Sequence, residues 1–160
     1  MSAAAELTET VADEVARRIA NPWALPVPPP VLGAVTVRAV GVDVVDVPRL
    51  DGMVRRRGDR LVARLLTPAE LRLCADASHR HRVGFLAGRL AAKEAIGKTF
   101  GGRGAGVGWH DVEIGRGAAG EPLPRLTGRA AEAFRLSGLT RLNISITHEA
   151  GVAVAVALAG

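Results

Sequence analysis

Gly84 to Gly101, GFLAGRLAAKEAIGKTFG, limits what this chain can fold into more than any other stretch. Its Ala, Leu, Arg, Lys and Glu are good helix formers and a glycine stands at each end, so the pattern predicts one helix over 84–101. At about 100° per residue, Phe85, Ala92, Ala95 and Ile96 share one apolar arc, with Leu86 and Leu90 on another side. Glu94 falls between Leu90 and Ala91 rather than inside a charged stripe. A surface helix collects its charges on one face; this one interleaves them with apolar residues, so Glu94 and Lys98 are expected to be half-buried. A half-buried carboxylate needs a hydrogen-bond partner, a cation or a metal.

The use of lysine sharpens the point. Of 21 basic residues only Lys93 and Lys98 are lysines, five positions apart. A chain otherwise committed to arginine that keeps both lysines here points to positions that need an ammonium, a compact charge and a common phosphate ligand. A plainer reading stands beside it: Glu94 and Lys98 form an i,i+4 helix pair worth a few tenths of a kcal/mol.

At 160 residues the chain holds one domain with room for an appendage. Hydrophobic residues make up 48% and aromatics 3%, so the core must be built from Ala, Val, Leu and Ile. The net charge of +5 favours acidic partners: nucleic acid, phosphate ligands or an acidic protein. A single cysteine, Cys74, excludes an internal disulfide and fits a reducing, cytoplasmic setting. In its Leu-rich helical context Cys74 reads as a small core residue. No run is long enough to span a membrane.

Residues 1–34 read as an amphipathic helix, with Leu7, Val11, Val15 and Ile19 at four-residue spacing, followed by a Pro-rich linker, NPWALPVPPP. The domain then occupies 35–160. Val35 to Val47 alternates as a strand, with Gly41, Asp43 and Val45 on one face and Val40, Val42 and Val44 on the other. Strands disfavour Asp, so Asp43 is either solvent-facing or functional, and Gly41 beside it favours close approach of a ligand or another backbone. From 47 to 66 a basic amphipathic segment carries Arg49, Arg55, Arg56, Arg57, Arg60 and Arg64, broken at Gly58-Asp59. It reads as a solvated face or as a docking surface for something acidic. Thr67-Pro68-Ala69-Glu70 is a capping box opening a helix to about Ala75. His79 and His81 read as surface residues, with no carboxylate flanking them. Strands are expected at 109–115, 122–126, 139–148 and 152–158, with a helix capped by Thr127 over 128–136. The Val and Ala faces of 152–158 suit burial on both sides, between subunits.

Four features then stand together: Asp43; Arg89, Lys93, Glu94 and Lys98; Gly120-Glu121-Pro122; and Ser145-Ile146-Thr147-His148. In this order, the text GVDVVDVPRL, FLAGRLAAKEAIGKTFG, DVEI…GEP and SITHE resembles the holo-acyl-carrier-protein synthases, the small 4′-phosphopantetheinyl transferases. The resemblance covers about 38–160. It implies an α+β fold with an antiparallel sheet packed on a long central helix. It also implies transfer of the phosphopantetheine arm of coenzyme A to a serine of an apo-acyl carrier protein, with adenosine 3′,5′-bisphosphate released. Carried over by motif, Asp43 and Glu94 hold Mg²⁺, hard oxygen ligands for a hard cation, and Lys98 balances pyrophosphate charge. Glu94, or a water beside it, takes the serine proton. Arg89, Lys98, Pro122 and His148 contact coenzyme A, with Arg80 and Arg82 as further candidates for its 3′-phosphate. The resemblance further implies a homotrimer with sites between subunits, and docking of the acidic carrier on Arg49 and its neighbours. The loop 101–108 departs from the family's pattern. Two other classes remain open from sequence: an inactive carrier-binding relative, against which Asp43, Glu94 and Lys98 all stand, and a nucleic-acid binder, which the poverty of aromatics disfavours.

Overall fold

The computed structural model describes residues 36–160; the expected N-terminal helix and linker lie outside the described residues. Three antiparallel strands form the main sheet: β1 (Ala39–Asp46), β4 (Leu142–Glu149) and β5 (Val152–Ala159), in the order β1-β5-β4. β2 (Val112–Arg116) and β3 (Pro122–Leu126) make a separate antiparallel hairpin. Helices α1 (Val47–Arg57), α2 (Asp59–Leu65) and α3 (Pro68–Arg72) follow β1, and α5 (Gly128–Leu136) precedes β4. The central helix α4 runs from His79 to Thr99, five residues earlier than the glycine boundary suggested. Ser78, accepting from His81 N, opens it, and Gly84 lies inside.

α4 crosses the inner face of the main sheet, and its glycines and alanines set the spacing. A Cβ on Gly41 would run into the Ala95 carbonyl and lie 3.2 Å from Lys98 Cβ. Gly41 therefore admits another backbone, one of the two alternatives left open from sequence. At the other edge, a Cβ on Gly88 would sit 3.0 Å from Ile146 Cγ2, and one on Gly84 3.8 Å from the His148 ring. The helix thus passes from β4 near its start to β1 near its end. Beneath it Ala153, Ala155 and Ala157 of β5 are fully buried or nearly so. The core is built from aliphatic residues as composition required, with Phe100 and Phe134 as an edge-to-face pair, 6.3 Å apart.

The opposite face of the sheet is open. Val40 pairs with Leu158, Val42 with Val156 and Val44 with Val154, and beside them Asn143, Ser145 and Thr147 complete the surface. Val40 and Val44 are 58% exposed. In a single chain β5 is therefore buried on its alanine face alone, not on both.

Smaller differences have local causes. The first strand starts at Ala39 rather than Val35. Trp109–Asp111 forms a 3₁₀ turn, so β2 begins at Val112 rather than Trp109. Thr127 precedes α5 without capping it through its side chain; its hydroxyl donates to the Asp111 carbonyl instead. The break at Gly58 falls as expected, with φ +62. No helix of the described residues is long and apolar enough to cross a membrane.

Candidate active site

Asp43 sits on the inner face of β1, opposite Ala155 of β5, and points toward the end of α4. Lys98, in the last turn of α4, reaches it: Nζ donates to Asp43 Oδ1 at 2.8 Å and to the Val42 carbonyl at 2.6 Å. Lys98 therefore does not make the plain helix pair with Glu94. Glu94 is exposed, one turn earlier, and among the described residues it makes no ion pair. The expectation that Glu94 and Lys98 are half-buried is corrected: both are exposed, because the apolar residues on either side pack below them. Asp43, with a side chain 20% exposed, is the half-buried member.

Lys93 has a different fate from Lys98. It is 4% exposed, and its Nζ donates to Glu70 Oε2 at 2.7 Å, Leu65 O at 2.8 Å and Trp109 O at 2.9 Å. Glu70 is fully buried and also accepts from Thr67 N and Ile114 N. Burial pushes the Lys93 ammonium pKa down, and the Glu70 carboxylate opposes it. Lys93 is therefore not free for phosphate, contrary to expectation, and is a structural clamp joining α2, α3, α4 and β2. Sequence did give the capping box that locates Glu70, and Thr67 and Glu70 complete it; its partner, 23 positions on, left no local signal.

At the other edge of the sheet, Arg89, Pro122 and His148 come together on one cleft of about 470 Å³. Gly120, which turns the hairpin with φ +90, lines it too. Arg89 is 9% exposed, its guanidinium lies 4.1 Å over the Phe85 ring, and its Nε is buried without a hydrogen-bond partner. Burial pushes its pKa down; Glu70 opposes this and Arg116 adds to it. Arg116, which the sequence pattern did not single out, lines the cleft at the end of β2. Its only signal was a charge placed just before the Gly117–Gly120 turn.

Neither of the two further arginines joins that cleft. Arg82 turns to Asp59 at 3.1 Å, and Arg80 lines a neighbouring groove of about 770 Å³ between α1, the start of α4 and the β4-β5 turn. There His79 meets Asp51 at 2.6 Å, so a carboxylate distant in sequence does flank it. Arg55 pairs with the same Asp51 at 2.9 Å, while Arg49 is exposed and its backbone N–H donates to the α1 cap Asp46. Cys74 is buried, as expected of a core residue.

Among the described residues no group of three or more His, Cys, Asp or Glu is arranged to hold a metal. Asp43 and Glu94 are two carboxylates only. They fit a hard cation that takes its remaining oxygens from a phosphate ligand and water. Asp43 already seats the ammonium of Lys98, which marks its surroundings as a place for positive charge.

The 4′-phosphopantetheinyl transferase superfamily model matches residues 39–157. Among curated relatives, the holo-[acyl-carrier-protein] synthase of Desulforudis audaxviator is 42% identical over 123 residues, spanning 77% of this chain and 92% of the relative. Among solved structures, the Helicobacter pylori holo-[acyl-carrier-protein] synthase in complex with coenzyme A is 29% identical with a TM-score of 0.63, covering 76% of this chain and 99% of that one. The Chronobacterium ammoniagenes ACPS-CoA complex is 30% identical with a TM-score of 0.65, covering 76% and 95%.

Proposed function

The chain belongs to the 4′-phosphopantetheinyl transferase superfamily, among its holo-acyl-carrier-protein synthases, and from that premise we propose a Mg²⁺-dependent transfer from coenzyme A to the serine of an apo-acyl carrier protein, releasing adenosine 3′,5′-bisphosphate. One observation carries the reading: a cation-rich cleft holding Arg89, Pro122 and His148 shares the central helix with the Asp43–Lys98 pair and Glu94. Two relatives of similar fold bind coenzyme A, and the cleft suits its phosphate-bearing end.

Asp43 and Glu94 would hold the metal, which supplies positive charge to the pyrophosphate. Lys98 is on an exposed, flexible stem and can leave the Val42 carbonyl to follow charge as it builds on the leaving phosphate. Such transfers depend chiefly on positioning and charge neutralisation. The serine oxygen attacks the phosphorus that carries the pantetheine arm. The bond from that phosphorus to the bridging oxygen breaks, and the nucleotide leaves with the electron pair. Glu94, which makes no ion pair among the described residues, or a water beside it, accepts the serine proton.

The two halves of this machinery lie at opposite edges of one sheet, Asp43 and Lys98 by β1 and His148 by β4. A homotrimer resolves the separation: the open valine face packs against a second copy, and each site takes its cleft from one copy and its carboxylates from the next. Such a face, large and apolar, is otherwise hard to reconcile with a soluble monomer. The exposed arginines of α1 and α2 receive the acidic carrier, and the buried lone thiol fits a cytoplasmic setting in lipid biosynthesis.

The test is mass spectrometry of apo-acyl carrier protein after incubation with the chain, coenzyme A and Mg²⁺. A gain of one phosphopantetheine arm is expected, absent with EDTA and with Asp43→Ala or Glu94→Ala. An unchanged carrier mass would leave a carrier-binding module as the reading. Light scattering at micromolar concentration checks the trimer.

A further inference from the structure

We propose that Asp51 and His79 are positioning residues for carrier recognition: their contact pins α1 to the start of α4, so that Arg49 and its neighbours meet the acidic carrier in one orientation, and the pin is stronger while the imidazole is charged. The proposal rests on the transferase reading above and names what holds its docking helix in place.

α1 is thinly attached to the domain. Of its eleven residues, Leu50 alone is buried. Met53 and Val54 are partly buried against the same cluster, and Arg55, Arg56 and Arg57 are exposed. Gly52 stands in the middle of the helix, where glycine weakens it. The first turn is tied down: Arg49 N donates to the cap Asp46, and Val47 N to the Gly151 carbonyl at 2.9 Å. Past that turn the polar attachment falls to Asp51. Its Oδ1 meets His79 Nε2 at 2.6 Å, and its Oδ2 accepts from Arg55 Nε at 2.9 Å. The Arg55 contact lies within α1 and stiffens it; the His79 contact is the one that crosses to α4. Among the described residues no other side-chain hydrogen bond joins the two helices.

Charge makes that crossing conditional. Arg55 first and His79 second hold the Asp51 carboxyl below the usual carboxylate range, so the acceptor stays ionised. Imidazole side chains change charge between about pH 5 and 8, and a charged one adds the attraction of an ion pair to the hydrogen bond. The other charged groups nearby have partners or face the groove. His81 meets Ser78 Oγ at 3.0 Å and Arg82 pairs with Asp59 at 3.1 Å, while Arg80, His148 and Glu149 line the groove beside the pair. Two of these are histidines as well, so the test must change His79 itself.

The experiment measures KM for an apo-acyl carrier protein and for coenzyme A at about pH 6 and about pH 8.5, either side of the imidazole range. The chains are wild type, His79→Gln, His79→Lys, Asp51→Asn and the double variant Asp51→Asn/His79→Gln. Calorimetry of the same carrier protein accompanies it. At the lower pH, His79→Gln and Asp51→Asn should each raise KM for the carrier by about twofold to fivefold, the range of a part-exposed ion pair. The double variant should be no worse than the worse single one, while kcat and KM for coenzyme A stay unchanged. At the higher pH the gap between wild type and His79→Gln should narrow. His79→Lys, charged at both, should keep a low carrier KM throughout. Equal rises in both KM values, a gap that ignores pH, or additive singles would overturn the proposal. So would a lower carrier KM in Asp51→Asn, the result expected if Asp51 only withholds Arg55 from the carrier. A wild type that binds the carrier and transfers nothing would instead overturn the transferase reading, and the calorimetric series would still decide the pin; a wild type that does not bind the carrier overturns both.

Discussion

Replacing Lys93 with Met should be among the costliest single changes in the described chain. The side chains are similar in length, so packing is nearly conserved and the loss is that of the ammonium. Three bonds disappear, at 2.7, 2.8 and 2.9 Å, and the Glu70 carboxylate remains in a place with no solvent exposure. Glu70 keeps Thr67 N and Ile114 N, which limits the damage. Breaking a buried pair by removing one partner costs about 3–5 kcal/mol. Against a usual domain stability of about 5–15 kcal/mol, that is about a fifth of the total or more. The assay is urea unfolding at one fixed protein concentration, because assembly would shift the midpoint by mass action. The double variant Lys93→Met/Glu70→Gln removes both charges and should recover part of the loss, since it leaves no buried carboxylate without its ammonium. A Lys93→Met cost under about 1 kcal/mol, or a double variant as damaged as the sum of the singles, would refute the clamp.

Three other outcomes are expected. Gly41→Ala drives a methyl into the Ala95 carbonyl, so it should cost at least the 1–3 kcal/mol or so of an overpacked core and lower transfer by displacing Lys98; normal stability in thermal unfolding would show that β1 has slack the structure does not suggest. Asp51 has its carboxyl held below the usual carboxylate range, first by Arg55 and then by His79; the folded state binds fewer protons than the unfolded one near pH 4, so this contribution is present above about pH 4 and drains away below it, and Asp51→Asn should flatten the acid limb of the stability curve. Arg49→Glu should raise KM for the carrier and leave KM for coenzyme A alone, with added salt weakening the wild type more than the variant; equal rises in both would mean that Arg49 supports the active site itself.

Periodicity and spacing made most of the fold legible. The alternation around Asp43, the capping box at Thr67 and the Val/Ala strand all gave their elements to within a few residues. The motifs that resemble the family also named the residues that the fold gathers at the cleft. What failed were pairings over long separations. The sequence could not say that Lys98 prefers Asp43 to its helix neighbour Glu94, because the choice depends on Gly41 letting β1 touch the helix. It could not separate Lys93 from Lys98, since only the packing of α3 under the helix turns one inward to Glu70. Arg116 was invisible because its place on the cleft depends on where a hairpin folds, and hairpin placement has no local code.

The order β1-β5-β4 also bears on synthesis. The middle strand is the last of the three to leave the ribosome, so Asp46 waits for Val152 through the whole intervening chain. Until β5 arrives, β1 has no ladder partner and α4 has no floor of alanines beneath it. Helices α1 to α4 can form early from local contacts, but the sheet closes only by long-range pairing, the slow kind. During that interval the valines of β1 stand unpaired, and a holding chaperone or slow translation ahead of β5 would decide how much of the chain reaches its partners.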